Sequence, residues 1–325
     1  MATYTIVKLK NLTPLHVGTG KENYDFSADD LQSDTISAAL SAIRAQQGKD
    51  EDIEDFLNSF TISSAFPYME NQYFLPKMQG KMNVEVDGSK AEENRKELKK
   101  IKYIESGLWQ QLAVGKQVVV KKEQLQQKYL LSATDSFSIP AKSEVMQRVT
   151  IPRGDGKDAE PFYFDWTYFS EHGGLYFIVD AKPDTIDEIE NLFKRLGETG
   201  IGTDKNIGGG KFEVEIGSLQ IDNVQNANAT MLLSLFVPTK EEMEKIDLHN
   251  SRYQLLHRGG YMAGSSEEAF RHLRKKSIYM FAVGSVFPCT ESFSGKVVNL
   301  TPEWNDERMH SVYRSGKPFY LPVTI

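Results

Sequence analysis

Apolar and polar residues alternate with a period of two along YTIVKLKN (4–11), the pattern of a strand with one buried face. A turn, TPLHVGTG (13–20), follows it. The period then changes. In SDTISAALSAIRAQ (33–46), Ile36, Ala39, Leu40 and Ile43 share one helical face, and Ser33 or Asp34 is positioned as N-cap. ISSAFPYMENQYFLPKM (62–78) reads as a hairpin around Glu70-Asn71.

Residues 81 to about 160 break this rhythm: a charged stretch, GSKAEENRKELKKIKYIESGLWQQLAVG, predicts a helical hairpin. KSEVMQRVTIPRGDGKDAE predicts an irregular basic loop, so the region reads as an insertion. The core resumes at 160–181 with two aromatic-rich strands joined near Glu171–Gly174. A helix over 184–200 carries Ile186, Ile189, Leu192, Phe193 and Leu196 on one face, with Gly197 as C-cap. A glycine loop and the strand KFEVEI (211–216) complete the series. This order predicts an α+β fold of two ferredoxin-like (RRM-like) domains. The first spans 1–220 with the insertion at about 81–160, the second spans 221–325, and the polar stretch 218–230 links them.

With 325 residues, 40% apolar and 26% charged, each half can build its own core, as a soluble globular chain does. No run of eighteen apolar residues predicts a membrane span, and the first residues carry no secretory h-region. The single cysteine, Cys289, excludes an intramolecular disulfide and a cysteine-based zinc site, so a cytoplasmic home is expected.

A formal charge of -7 runs against the basic footprint of nucleic-acid binders. The acids, however, collect in helical-looking stretches at 48–60, 184–193 and 239–249. Bases collect elsewhere: Lys96, Lys99, Lys100 and Lys102, then Lys116, Lys121 and Lys122, then Lys142, Arg148 and Arg153. RNA responds to the local field within about 10 Å at ordinary salt, so a basic groove on an acidic chain is compatible with this distribution.

The segment GETGIGTDKNIGGGKFEVEI (197–216) concentrates candidate chemistry, because glycines bring backbone N–H groups close to an anion. It is not a P-loop: Phe212 follows Lys211 where a hydroxyl is needed, and the loop runs from helix to strand. A long hairpin-like turn is the plain alternative.

At this point the chain resembles the RAMP superfamily of CRISPR RNA-binding proteins. The helix, glycine loop and strand carry the likeness, together with LTPLHVGTG (12–20), LQSDTISAALSAI (31–43) and FLPKM (74–78). SRYQLLHRGGYM (251–262), VGSVF (283–287) and HSVYRSGKPFYLPV (310–323) point to the branch that caps the guide in type III-A Csm complexes. The resemblance implies a non-catalytic subunit without cofactor. It would bind the 5′ tag of the guide RNA (crRNA), the large polymerase/cyclase-like subunit and a RAMP backbone subunit. It maps RNA contacts onto His16, Gly18, Ser33, Asp34, Lys77, Lys142, Arg148, Arg153, Lys205, Gly208, Gly209, Gly210 and Lys211. Ser33 would offer a hydroxyl at a helix N-terminus, and Asp34 a bond to a base edge, a 2′-OH or its own backbone.

His16 raises a second reading, a metal-independent endoribonuclease, although no acid partner for it is evident. The remaining histidines form no metal-ligand spacing, so no metal site is expected. A third reading is an unrelated α+β enzyme holding a phosphorylated small molecule at the glycine loop. Arg252, Arg258, Gly259 and Gly260 are assigned to a protein interface or domain junction. Surface pairing with acids is the alternative for the arginines, and Tyr261, Phe287, Tyr313, Phe319 and Tyr320 read as core.

Overall fold

The computed structural model describes all residues except 19–24, 29, 89–93, 135–137, 152–153, 155–157, 263–269, 271 and 305. In chain order the first elements are β1 (Ala2–Lys10), α1 (Ser33–Gln46), α2 (Ile53–Asn58), β2 (Phe60–Ile62), β3 (Phe66–Met69) and β4 (Gln72–Pro76). β3 and β4 form the expected hairpin, with Glu70 at φ 52° in its turn. The region read as an insertion then supplies β5 (Val84–Val86), α3 (Arg95–Lys100), β6 (Tyr103–Glu105), α4 (Ser106–Ala113), β7 (Val118–Val120), β8 (Leu125–Gln126) and β9 (Tyr129–Leu130). Next come β10 (Ala141–Thr150) and β11 (Glu160–Phe169), followed by β12 (Gly173–Ala181), α5 (Pro183–Thr199) and β13 (Glu213–Ile221).

The main sheet runs β13-β1-β12-β3-β4-β6-β9-β8, and β2 also pairs with β12. Period-two alternation divides β1 and β12 between two cores. Ile6, Tyr176 and Ile178 face one side, while Val7, Leu9, Leu175, Phe177 and Val179 face the other. On the second side α1 and α5 bury Ile36, Leu40, Ile189, Leu192, Phe193 and Leu196. β1 is therefore buried on both faces, not one. Its buried Lys8 pairs with Glu215 at 3.3 Å and sets its ammonium 4.6 Å from the centre of the Tyr68 ring.

Several expectations change. The charged helical hairpin is two short helices divided by β6, because Ile101, Tyr103 and Ile104 are drawn into the sheet. The basic loop is instead strand β10, paired antiparallel with β11 from Ala141↔Phe169 to Thr150↔Glu160. β11 thus pairs with β10 in a two-stranded ribbon and not with β12. Gln32, not Ser33 or Asp34, occupies the N-cap of α1. Gly197 lies inside α5, where an added Cβ would strike the carbonyl oxygen of Phe212; Gly200, at φ 83°, ends the helix.

Residues beyond 221 form β14 (Ala229–Leu232), α6 (Lys240–Lys245), β15 (Leu255–Arg258), β16 (Ile278–Phe281), β17 (Val286–Phe287), β18 (Val297–Asn299), β19 (Tyr313–Ser315) and β20 (Tyr320–Val323). They make three small sheets, β17-β14-β20, β15-β16 and β18-β19. Thr239 starts α6 in a reciprocal capping box with Glu242. Met231, Leu233, Val286, Leu321 and Val323 close the first face of the main sheet beside Leu108, Trp109 and Leu112 of α4. The helical face in turn receives Val297 and Tyr313. The C-terminal third is thereby packed into both cores.

Candidate nucleic-acid interface

Three segments far apart in sequence meet at the base of the β10–β11 ribbon. The turn after β1 lies between the glycine loop and β11. Leu15 exchanges backbone hydrogen bonds with Thr167, both 2.9 Å. Thr13 N–H donates to the carbonyl of Lys211, Lys211 N–H donates to Thr13 Oγ1, and that hydroxyl donates to the carbonyl of Gly208. Thr203 N–H donates to the carbonyl of His16 at 3.0 Å, and Gly210 N–H to that of Pro14 at 2.9 Å.

The glycines act here through close packing. Gly210 has φ 67°, and a Cβ on it would collide with the carbonyl of Ile201. On Gly209 a Cβ would come within 2.7 Å of the Trp166 ring. The amides of Gly208 and Gly209 donate within the loop, to the carbonyls of Lys205 and Asp204. With the Gly210 amide on Pro14, all three are committed inside the protein. The expected amide cradle for phosphate is therefore corrected: the loop positions cations instead.

Those cations lie around the packed base. Arg148 of β10 donates from Nη1 to Asp204 Oδ2 at 2.6 Å and lies over the rings of Phe164 and Trp166, 4.3 and 5.2 Å from their centroids. Lys205 and Lys211 are exposed on the loop, and Lys142 is exposed on β10 beside Glu144. Arg153 lies outside the described residues. Along the ribbon Val145, Met146, Val149, Ile151 and Tyr163 are also exposed, an apolar display that pattern-reading missed. Asp204 and the rings under Arg148 were missed as well; the alternation EVMQRV was the available signal for a strand.

His16 is 1% exposed. Its Nδ1–H donates to the carbonyl of Asp165 at 2.8 Å, and its ring lies 4.5 Å from that of Phe164. The histidine expected to contact RNA is built into the base, while Gly18 remains exposed nearby, and a Cβ added to it would lie 3.6 Å from Thr203 Cγ2. Two buried atoms of this base, Asp165 Oδ1 and Thr203 Oγ1, have no hydrogen-bond partner among the described residues.

Ser33 and Asp34 are not at this site, and both are buried. Ser33 Oγ accepts from Leu235 N–H at 3.0 Å. Asp34, fully buried, takes Arg258 Nε and Nη2 at 2.8 and 2.9 Å and also pairs with Arg314. The expected bond from Asp34 to RNA or to its own backbone is replaced by this paired-guanidinium contact. Lys77 is half-buried, and desolvation pulls its ammonium below the ordinary lysine range. Arg252 is exposed and lies along Gly80, where a Cβ would meet its Cδ at 2.7 Å. Gly259 and Gly260 follow β15, with Gly260 at φ 111° accepting from Lys275 N–H.

Residues 8–213, well over half of the chain, match the family model of the RAMP superfamily. The chain belongs to the RAMP superfamily. Residues 225–323 match the model of the CRISPR Csm4 C-terminal domain. Among curated relatives, the "CRISPR system Cms protein Csm4" of Thermococcus onnurineus is 28% identical over 265 residues, covering 78% of this chain and 82% of that protein. The protein of the same name from Mycobacterium tuberculosis is 25% identical over 308 residues, covering 94% and 93%. A solved Csm1-Csm4 cassette in complex with cA4 has a chain of like fold, with TM-score 0.64, 20% identity and coverage of 100% and 99%. A Csm3-Csm4 subcomplex of the type III-A CRISPR-Cas interference complex gives TM-score 0.63, 20% identity and coverage of 99% and 100%. In this RAMP chain the two matched segments are bonded at Asp34, which lies in the first, by Arg258 and Arg314, which lie in the second.

Proposed function

We propose that the chain is a non-catalytic subunit of a type III-A CRISPR effector complex that holds the 5′ tag of the guide RNA. It would sit in the cytoplasm between a large Csm1-like subunit and a Csm3-like backbone subunit. The observation that carries this reading is the convergence of turn, glycine loop and ribbon, with Arg148, Lys205 and Lys211 around one base. A single strand of RNA is held by such cations together with exposed apolar and aromatic surface. Relatives solved with Csm1 and with Csm3 support the partners. The burial and stacking of His16 favour a structural histidine over a general base.

A ferredoxin-like reading of residues 1–220 has support in the order β1-α1-β3-β12-α5-β13, with β13 and β12 flanking β1 and β3 beyond β12. A second unit over 221–325 draws support from the β17-β14-β20 sheet alone.

Fluorescence anisotropy of a short 5′-tag RNA, with scrambled RNA as control, tests the reading. Wild type is expected to bind the tag RNA more tightly and return it intact. Arg148→Ala should weaken binding several-fold and reduce the log–log salt slope by about 0.7. Cleaved RNA would sink the non-catalytic reading, and an Arg148→Ala variant binding like wild type would sink the ribbon-base site.

A further inference from the structure

Arg148 leans from β10 back toward the ribbon base. Its register partner on β11 is Phe162, yet its guanidinium lies over Phe164 and Trp166, further along the same face toward the base. Both rings are buried and form a fixed floor. One hydrogen bond holds the guanidinium on this floor, from Nη1 to Asp204 Oδ2 at 2.6 Å. Nε and Nη2, the two donors on the other edge of the fork, have no hydrogen-bond partner among the described residues.

Asp204 is itself held by its backbone. It sits at φ 57°, a conformation that Asp adopts more readily than most residues, and its carbonyl accepts the amides of Ile207 and Gly209 at 3.1 and 3.3 Å. Trp166 packs against Gly209 of the same loop, leaving no room there for a Cβ. The carboxylate is therefore presented from a loop already tied to the floor beneath Arg148.

A carboxylate beside a phosphate-binding arginine has two opposed effects. Its charge repels phosphate and cancels part of the local positive field, which weakens RNA binding. Its bond also orders a long side chain before RNA arrives, which removes that ordering cost from the binding step. The Arg148 and Asp204 side chains are 29% and 34% exposed, so solvent and salt screen the repulsion. Orientation is not screened in this way, because the guanidinium fork matches two phosphate oxygens only when it is correctly turned.

We infer that Asp204 is a positioning residue: it clamps Arg148 on Phe164 and Trp166 so that Nε and Nη2 meet two oxygens of one RNA phosphate. This rests on the guide-RNA reading above and deepens it, since the contact becomes a two-pronged one that lysine does not replace.

Tag-RNA anisotropy on the full-length chain tests it with Asp204→Gly, Asp204→Asn and Arg148→Lys, and with Asp204→Gly combined with Arg148→Ala. Glycine accepts φ 57° without strain and keeps the carbonyl that holds the loop. Asp204→Gly is expected to weaken binding roughly threefold to tenfold, although it makes the site more positive. Asp204→Asn keeps an oxygen acceptor and should lose less. Arg148→Lys keeps the charge without the fork and should bind more like Arg148→Ala than like wild type. In the Arg148→Ala background Asp204→Gly should weaken binding no further, a result that a carboxylate merely supporting the loop would not give. Tighter binding by Asp204→Gly or Asp204→Asn would make the carboxylate a plain counter-ion. Equal weakening with and without Arg148, or wild-type binding by Arg148→Lys, would likewise overturn the inference while the RNA site stands. If Asp204→Gly does not fold, the same cycle with Asp204→Asn decides. A wild-type chain that binds no RNA removes the guide-RNA reading and this inference together.

Discussion

Asp34 concentrates the energetics of the molecule in one side chain. Its carboxylate is fully buried and shared by two guanidiniums, so removing it strands two desolvated charges. Burial pushes Arg314 down to about 10, still high enough to leave it charged at neutral pH. Asp34→Ala is expected to destabilise the chain by ~3–5 kcal/mol. Urea denaturation measures this; a loss below about 1 kcal/mol would mean the pair contributes little. Gly210 makes a second prediction at this scale. With positive φ and no room for a Cβ, Gly210→Ala should destabilise by more than ~1 kcal/mol, whereas Gly48→Ala, equally positive in φ but in open space, should cost less. Comparing the two midpoints separates collision from backbone strain. Sequence reading marked Asp34, Arg258 and Gly210 as notable but connected the first and the last to RNA. A carboxylate at position 34 and guanidiniums at 258 and 314 carry no local signal of their pairing.

Among the elements, the β10–β11 ribbon departs most from its reading. Its strand alternation serves no core along most of β10, so the pattern that identifies a half-buried strand is diluted by exposed Val145, Met146 and Val149. By contrast α5 and α1 were legible to within a residue or two, because their apolar faces are imposed by the sheet they cover. Replacing Val145, Met146 and Val149 together by serine should leave the Tm nearly unchanged. The same variant should weaken association with tag RNA or with the Csm3-like partner, measured by anisotropy and by co-purification. A marked fall in Tm would instead make these side chains part of a packed face. Hydrogen exchange offers a check on hierarchy: amides of β10 should exchange faster than those of β1 and β12, which are buried on both sides.

In the whole molecule, the C-terminal third closes a core that the first two-thirds leaves open. Ile6, Tyr176, Ile178 and Leu219 share one cluster with Met231, Leu233, Leu321 and Val323. Residues 1–221 expressed alone should therefore expose an apolar sheet face and bind a hydrophobic dye or aggregate. Cooperative unfolding of that fragment with native-like near-UV circular dichroism would count against a shared core. The acidic helices and the cationic ribbon base lie in separate elements, so an overall charge of -7 coexists with a locally cationic edge.

Local periodicity determined the strand and helix types of the two long helices, the first strand and the β3–β4 hairpin, since each answers to contacts within a few residues. The family resemblance was legible too, because ordered blocks survive where single motifs do not discriminate. Tertiary structure alone decided which of the marked residues face solvent. His16, Ser33 and Asp34 went inside, and Arg148, Lys205 and Lys211 came to one base. Burial and charge pairing depend on segments two hundred residues away, and a one-dimensional pattern holds no record of those distances.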